Sequence, residues 1–143
     1  MTIYLLDENV LRALGPTGNA NVRAWFASVA PADLRISAMT LFEKRRGWER
    51  RTKTDPNLAK TRLAEIDALE AAYGARLVPI DAPIAAEWAR LLGAKDKNQR
   101  DRALAATARV RGLVLVTRNI ADVQGCDVQV LDPFVKSPTI ETV

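Results

Sequence analysis

The sequence predicts an α/β domain in which a central, mostly parallel sheet of about five strands is flanked by helices in three layers. Three observations point there. Short strand-like segments rich in Val, Ile and Leu recur at 3–6, 34–36, 77–80, 113–116 and 128–131, each too short to be a buried helix. Between them lie longer segments with apolar residues at helical spacing, bounded by Gly, Pro, Asp or Asn. Strands that alternate with helices pair in parallel, because each crossover helix covers a face of the sheet. The expected organisation is one domain over residues 1–134 and a patternless, mobile C-terminal tail over 135–143.

Each element has a local reason. Ile3–Leu6 is the first strand, followed by a helix from Glu8 to Leu14 that Gly15-Pro16 breaks. A second helix runs from Asn21 to Val29 and stops near Pro31. Leu34–Ile36 is the second strand, and Ser37 caps a helix that continues to about Arg51. Asp55-Pro56 opens the next helix with proline at its first position, and Gly74 lies just past its end. Leu77–Ile80 is the third strand. Asp81 caps a helix over 82–92 closed by Gly93, and Asn98 caps another ending at Gly112. Leu113–Val116 and Val128–Leu131 are the fourth and fifth strands, separated by a short turn or helix near 120–123.

Composition narrows the chemistry. The chain has 143 residues, 48% hydrophobic and 27% charged, enough for one real core. No apolar run reaches the length of a membrane span, the N-terminus lacks a charged-then-apolar leader, and a single cysteine, Cys126, suits a reducing cytoplasm. There is no histidine. That excludes serine–histidine triads, histidine bases and histidine-containing zinc sites, and one cysteine excludes thiolate clusters. Any metal would sit on oxygen ligands, which suits Mg²⁺, Mn²⁺ or Ca²⁺. The net charge is +4, and ten of the 21 basic residues fall in two windows. One holds Lys44, Arg45, Arg46, Arg50, Arg51 and Lys53, the other Lys95, Lys97, Arg100 and Arg102. Such clusters can track a phosphate backbone or simply solvate a helix face.

Four acids are expected at one edge. Open parallel sheets bind ligands beyond the carboxyl ends of their strands. Asp7 ends strand one, and Asp122 follows strand four. Glu43 lies beside Phe42 in the helix after strand two. Asp101 shares an i, i+3, i+4, i+7 stripe with Leu104, Ala105 and Ala108, which places a carboxylate on the face packed against the sheet. Taken singly, Asp7 can be a helix cap, Asp101 an answer to the helix dipole, Glu43 a partner of Arg46 or Arg50, and Asp122 a turn former. Together they favour a shared cation, because buried unpaired carboxylates are costly. Trp25, Trp48 and Trp88 have amphipathic spacing and read as core or interface residues.

The motifs Tyr4-Leu5-Leu6-Asp7-Glu8-Asn9-Val10-Leu11, Ile36-Ser37-Ala38-Met39-Thr40-Leu41-Phe42-Glu43 with Gly47 following, and Asp101-Arg102-Ala103-Leu104-Ala105-Ala106-Thr107-Ala108 resemble the PIN-domain ribonucleases, especially VapC-type toxins of toxin–antitoxin modules. Gly112-Leu113-Val114-Leu115-Val116-Thr117-Arg118-Asn119 with Asp122, and the closing Val130-Leu131-Asp132-Pro133-Phe134, resemble them too. The resemblance implies a PIN-like three-layer sandwich and a metal-dependent endoribonuclease. It implies that Asp7, Glu43, Asp101 and Asp122 hold Mg²⁺ or Mn²⁺, with Asn9, Thr117 and Asn119 in support. Lys44, Arg45, Arg46 and Arg100 would then carry the RNA backbone. It also implies an RNA substrate such as tRNA, a homodimer, and an antitoxin whose peptide covers the acidic pocket. There are two departures. Glu8 stands where Thr or Ser is common, which bears on metal number or preference, and the loop before Asp101 is short. Two other readings compete: a receiver-like phospho-switch using Asp7, Asp81, Thr117 and Lys136, and a non-catalytic RNA-binding module. The first leaves Glu43 and Asp101 without a role.

Overall fold

A computed structural model describes all 143 residues. Strand β1 (Tyr4–Leu6) leads into α1 (Glu8–Arg12) and α2 (Ala20–Ala27); β2 (Leu34–Ser37) leads into α3 (Ala38–Glu49) and α4 (Pro56–Tyr73). Then come β3 (Leu77–Val78), α5 (Ala82–Leu92), α6 (Gln99–Arg111), β4 (Val114–Val116), β5 (Gln129–Leu131) and β6 (Ile140–Thr142). A single 3₁₀ turn over Ile120–Val123 joins β4 to β5. Local chemistry sets most boundaries. The Ser37 hydroxyl accepts from Met39 N–H at the start of α3, and the Asp81 carboxylate accepts from Ile84 N–H at the start of α5. Gly112 takes a left-handed φ of 67° to close α6.

The sheet order is β3-β2-β1-β4-β5-β6, parallel except for β6, which runs antiparallel to β5. The chain winds outward from β1 through β2 to β3, then returns to place β4 on the other side of β1. The winding therefore reverses between β1 and β4. At such a reversal the crossover connections diverge to opposite sides and open a crevice at the carboxyl ends of the two strands. Leu6 pairs with Val116 in register, so the next residues, Asp7 and Thr117, emerge side by side into it.

Alternating side chains divide the core into two layers. Leu5, Leu115 and Val130 point to one face and pack with Leu104, Ala105 and Ala108 of α6. Leu6, Val114, Val116 and Leu131 point to the other and pack with Val22, Trp25, Leu41 and Ile66. Both faces are covered at the centre of the sheet, which is why β1 and β4 read as continuous apolar runs. The alanine-rich buried side of α6, Ala103 to Ala108, lets that helix sit close to the sheet. Tyr4 meets Trp25 edge to face at 5.2 Å.

Several expectations need correction. The tail over 135–143 is not patternless: it returns as β6, whose neighbour Val143 exchanges backbone hydrogen bonds with Val128. The sheet therefore has one strand more than expected. An exposed three-residue edge strand is held by its backbone, so it leaves no hydrophobic alternation to read. Strand β3 ends at Val78 rather than Ile80, because Pro79 has no N–H to offer a ladder. Helix α1 stops at Arg12, and residues 13–18 form a tight turn in which Asn19 N–H donates to Ala13 carbonyl at 3.0 Å. A Cβ on Gly18 would lie 1.9 Å from that same Ala13 oxygen. Gly18→Ala should cost about 2 kcal/mol or more, measured as a lower denaturant midpoint at unchanged slope. An unchanged midpoint would mean this turn is not packed as described.

Candidate active site

Asp7 occupies the crevice. Its residue is 5% exposed. One carboxylate oxygen accepts from Glu8 N–H at 2.6 Å, the other from the Thr117 hydroxyl at 2.7 Å and from Asn9 Nδ2 at 3.3 Å. The Thr117 oxygen in turn accepts Asn119 N–H at 3.0 Å. A strand-end acid is thus locked to the neighbouring strand end by a hydroxyl whose rotamer is fixed. Burial raises the Asp7 pKa above its usual value, opposed by the bonds from Thr117 and Glu8.

Glu43 and Asp101 come to the same place from α3 and α6. Glu43 is pushed up to about 7, first by burial and then by the charges of Asp7, Glu8 and Asp101, against the pull of Arg100. Asp101 is pushed up to about 6 by burial and by the charges of Asp7 and Asp122, against the opposing pull of the nearby Asn119 amide and Arg100. These mutual repulsions link all four sequence-predicted acids, which stand far apart along the chain. Asn9, Thr117 and Asn119 lie among them, each bonded to one of the acids or to its partner.

The donor set suits a hard divalent cation, since every ligand atom on offer is a carboxylate, amide or hydroxyl oxygen. The Oδ1 of Asn9 is buried without a hydrogen-bond partner, although its Nδ2 donates to Asp7. An orphaned acceptor beside a buried carboxylate is an arrangement that a cation or its bound water would satisfy. The acids do not close into a ready three-ligand cage. Like charges hold one another off, and Glu43 leans toward Arg100, whose guanidinium is 3.8 Å away. Mg²⁺ does not require such a cage, because it keeps several waters and takes one or two carboxylates together with substrate phosphates.

The basic residues divide. Arg46 and Arg100 line a cleft of about 610 Å³ that also includes Asp101. Arg45 bridges to Asp67 and Glu70 of α4 in exposed ion pairs. Lys44 sits 3.5 Å from Glu8 and so remains at the edge of the site. Glu8 pairs with Arg12 at 2.9 Å as well as with Lys44, so the longer acid is tied into surface ion pairs. Glu43 pairs with neither Arg46 nor Arg50; its partner is Arg100, a residue on another helix that sequence spacing could not single out. Asp81 is committed to capping α5 and to an ion pair with Arg111, beside a strand two places from β1. Lys136 is exposed on the β5–β6 connection. Neither is gathered with Asp7, so the receiver-like arrangement is not formed.

No helix is long and apolar enough to cross a membrane. Residues 4–121 match the PIN domain family. The chain is 31% identical to toxin FitB of Neisseria gonorrhoeae over 139 residues, covering 92% of this chain and 99% of that one. Among solved structures, FitAB bound to an IR36 DNA fragment superposes with a TM-score of 0.78 at 27% identity, over 93% of this chain and 96% of that one. A DNA-bound VapBC from Salmonella typhimurium shares the fold at a TM-score of 0.68 and 20% identity, over 93% and 99% of the two chains. With a family match across most of its length and a relative covering nearly all of it, the chain belongs to the PIN-domain family.

Proposed function

We propose that this protein is a metal-dependent endoribonuclease and the toxin of a toxin–antitoxin pair. Hydrolysis of nucleic acid is the general activity of PIN domains; RNA as substrate and Mg²⁺ or Mn²⁺ as cofactor are the parts proposed here. The observation that carries the reading is a buried Asp7 with no ion-paired cation, linked by mutual repulsion to three further acids at a sheet crevice. Such a cluster is unfavourable as it stands and becomes favourable when it holds a divalent ion against a phosphate.

Asp7 would be the central ligand, with Asp101, Asp122 and Glu43 completing the set directly or through water. A bound ion of this kind lowers the pKa of a coordinated water and neutralises charge on the leaving oxygen. The chain's own residues do the rest. Thr117 and Glu8 N–H fix both oxygens of Asp7, so its position does not depend on substrate. Glu43, with a pKa near neutrality, can take a proton from the attacking water, and Asp101 can do the same. Arg46 and Arg100 favour the phosphodiester that approaches them. Hydrolysis by water leaves a 5′-phosphate and a 3′-hydroxyl.

An antitoxin partner is supported by the relatives, whose solved structures include FitAB and VapBC assemblies. A groove of about 740 Å³ runs from Glu8 and Glu43 past Leu11, Phe26, Trp48 and Tyr73. Its apolar floor, and the Glu43 carboxylate at an end where Glu8 is already paired to Arg12 and Lys44, suit an amphipathic peptide that brings a basic side chain to the acids. A homodimer, the assembly the resemblance implies, is proposed with it.

Total RNA incubated with the purified protein should be cut in Mg²⁺ or Mn²⁺, and EDTA should stop cleavage. Mapped ends should carry 5′-phosphates. A primary product with a 2′,3′-cyclic phosphate would refute the water route, and RNA that binds but stays intact in Mn²⁺ would make the protein a binding module.

A further inference from the structure

We infer that the cleft between α3 and the start of α6 holds one unpaired nucleotide, its base stacked on Phe42 and its flanking phosphates on Arg46 and Arg100. The inference rests on the RNA-cleavage reading above and names how the substrate is held. Phe42 is 53% exposed, although it directly precedes Glu43 on α3 and most large apolar side chains here are covered. It lines the cleft of about 610 Å³ whose other walls are Met39, Trp88, Arg46, Asp96 and residues 98–101. An exposed aromatic face at the mouth of a cleft that ends at Asp101 is placed to stack a base, and stacking needs no particular base identity.

The charges fit the same occupant. Arg46 is exposed and has no carboxylate partner within ion-pair distance, while Arg100 makes only the 3.8 Å contact with Glu43. Two guanidiniums left without full neutralisation beside an aromatic ring complement phosphates on either side of a base. Asn98 adds a recognition group. It heads α6 at a left-handed φ of 57°, its side chain makes no capping bond, and it lines the cleft. Its amide and the Asp96 carboxylate are therefore available to a base edge. Trp88 forms a wall only, since its indole N–H already donates to the Gln99 carbonyl at 2.9 Å.

Six of the nine lining residues are polar or charged, which favours a nucleotide over a second protein chain. A paired base would have to unpair and unstack to reach Phe42, at an energetic cost, so the cleft favours single strands or loops over duplex.

The test measures binding without cleavage, in EDTA, using a fluorescein-labelled single-stranded oligoribonucleotide and the same sequence as a duplex. Phe42→Ala should weaken single-strand binding about tenfold, and Phe42→Tyr should keep it, as expected for one stacked base. Arg46→Ala should weaken it as well, with a shallower salt dependence. At saturating protein, a 2-aminopurine probe should lose its quenching only with Phe42→Ala. If Phe42→Ala and Arg46→Ala both bind like the wild type, the inference fails. It also fails if Phe42→Ala converts a dimer to a monomer at unchanged RNA affinity, because the face would then belong to a second copy of the chain. Cleavage in Mn²⁺ is scored separately. RNA held through Phe42 but never cut would remove the nuclease reading and leave the cleft, whereas RNA cut equally by both variants would do the reverse.

Discussion

Asp7→Asn should abolish RNA cleavage, a loss of roughly a thousandfold or more, while leaving the metal-free protein at least as stable as the wild type. The first half follows from the position of Asp7 at the reversal between β1 and β4, where it is the most buried of the four acids. The second half follows from its hydrogen bonds. The introduced amide oxygen can keep the bond from Glu8 N–H, and the introduced NH₂ can donate to the Thr117 hydroxyl oxygen. Asn9 now donates Nδ2 to Asp7 and leaves its Oδ1 orphaned; a rotation of the Asn9 amide would offer that oxygen to the introduced NH₂ and end the mismatch. The substitution also removes a buried charge that raises the pKa of both Glu43 and Asp101. Thermal melts in EDTA and cleavage assays in Mn²⁺ should therefore move in opposite directions. A variant that still cuts RNA would overturn the site, and one that melts well below the wild type would show that Asp7 is mainly a structural cap.

The parts of the fold that the sequence revealed are those where the pattern and the packing are the same physics. Strands buried on both faces are apolar throughout, so β1 and β4 were legible, and the caps Ser37 and Asp81 mark their helices because the capping chemistry is local. Strand β6 was illegible because its three exposed residues are held by backbone pairing to β5, which any sequence can supply. The turn after α1 depends on Gly18 being close to Ala13, a contact that spacing alone does not announce.

The acids were legible for a related reason. Asp101 lies on an apolar stripe, and Asp7 interrupts the end of a strand, so each is a polar residue where burial is expected. Partners were harder to foresee. Arg45 and Arg46 are adjacent in sequence and belong to one basic run. The helical turn nevertheless sends one to α4 and leaves the other on the cleft. Arg100 reaches Glu43 from a different helix, and the fold leaves Phe42, a large apolar residue, exposed beside Glu43. Hydrophobic spacing says which face is buried, and it cannot say which long side chain stays unpaired.

The metal-free protein should lose stability as pH rises from 5 to 8, and Mg²⁺ should restore it. Glu43 and Asp101 have native pKa values of about 7 and about 6, above the usual 4.5 and 3.8 for these groups. The native state therefore holds protons that the unfolded chain has already released. The stabilisation is complete below about pH 4 and disappears as pH passes through the native values. Because the two acids repel each other their contributions do not add, and a total loss of about 3 kcal/mol is expected, or roughly 5–10 °C in Tm. Glu87 does not confuse the measurement: held at about 2 by its bonds to Arg90 and Arg109, it stays ionised across the whole range. Glu43→Gln should flatten most of the slope, since it removes one titrating group and lowers the pKa of the other. A divalent ion competes with those protons, so millimolar Mg²⁺ should raise Tm more at pH 8 than at pH 5; at a hundred times Kd the gain is about 2.7 kcal/mol. A melt in EDTA that is flat from pH 5 to 8, with no response to Mg²⁺ or Mn²⁺, would show that these carboxylates neither repel one another nor share a cation.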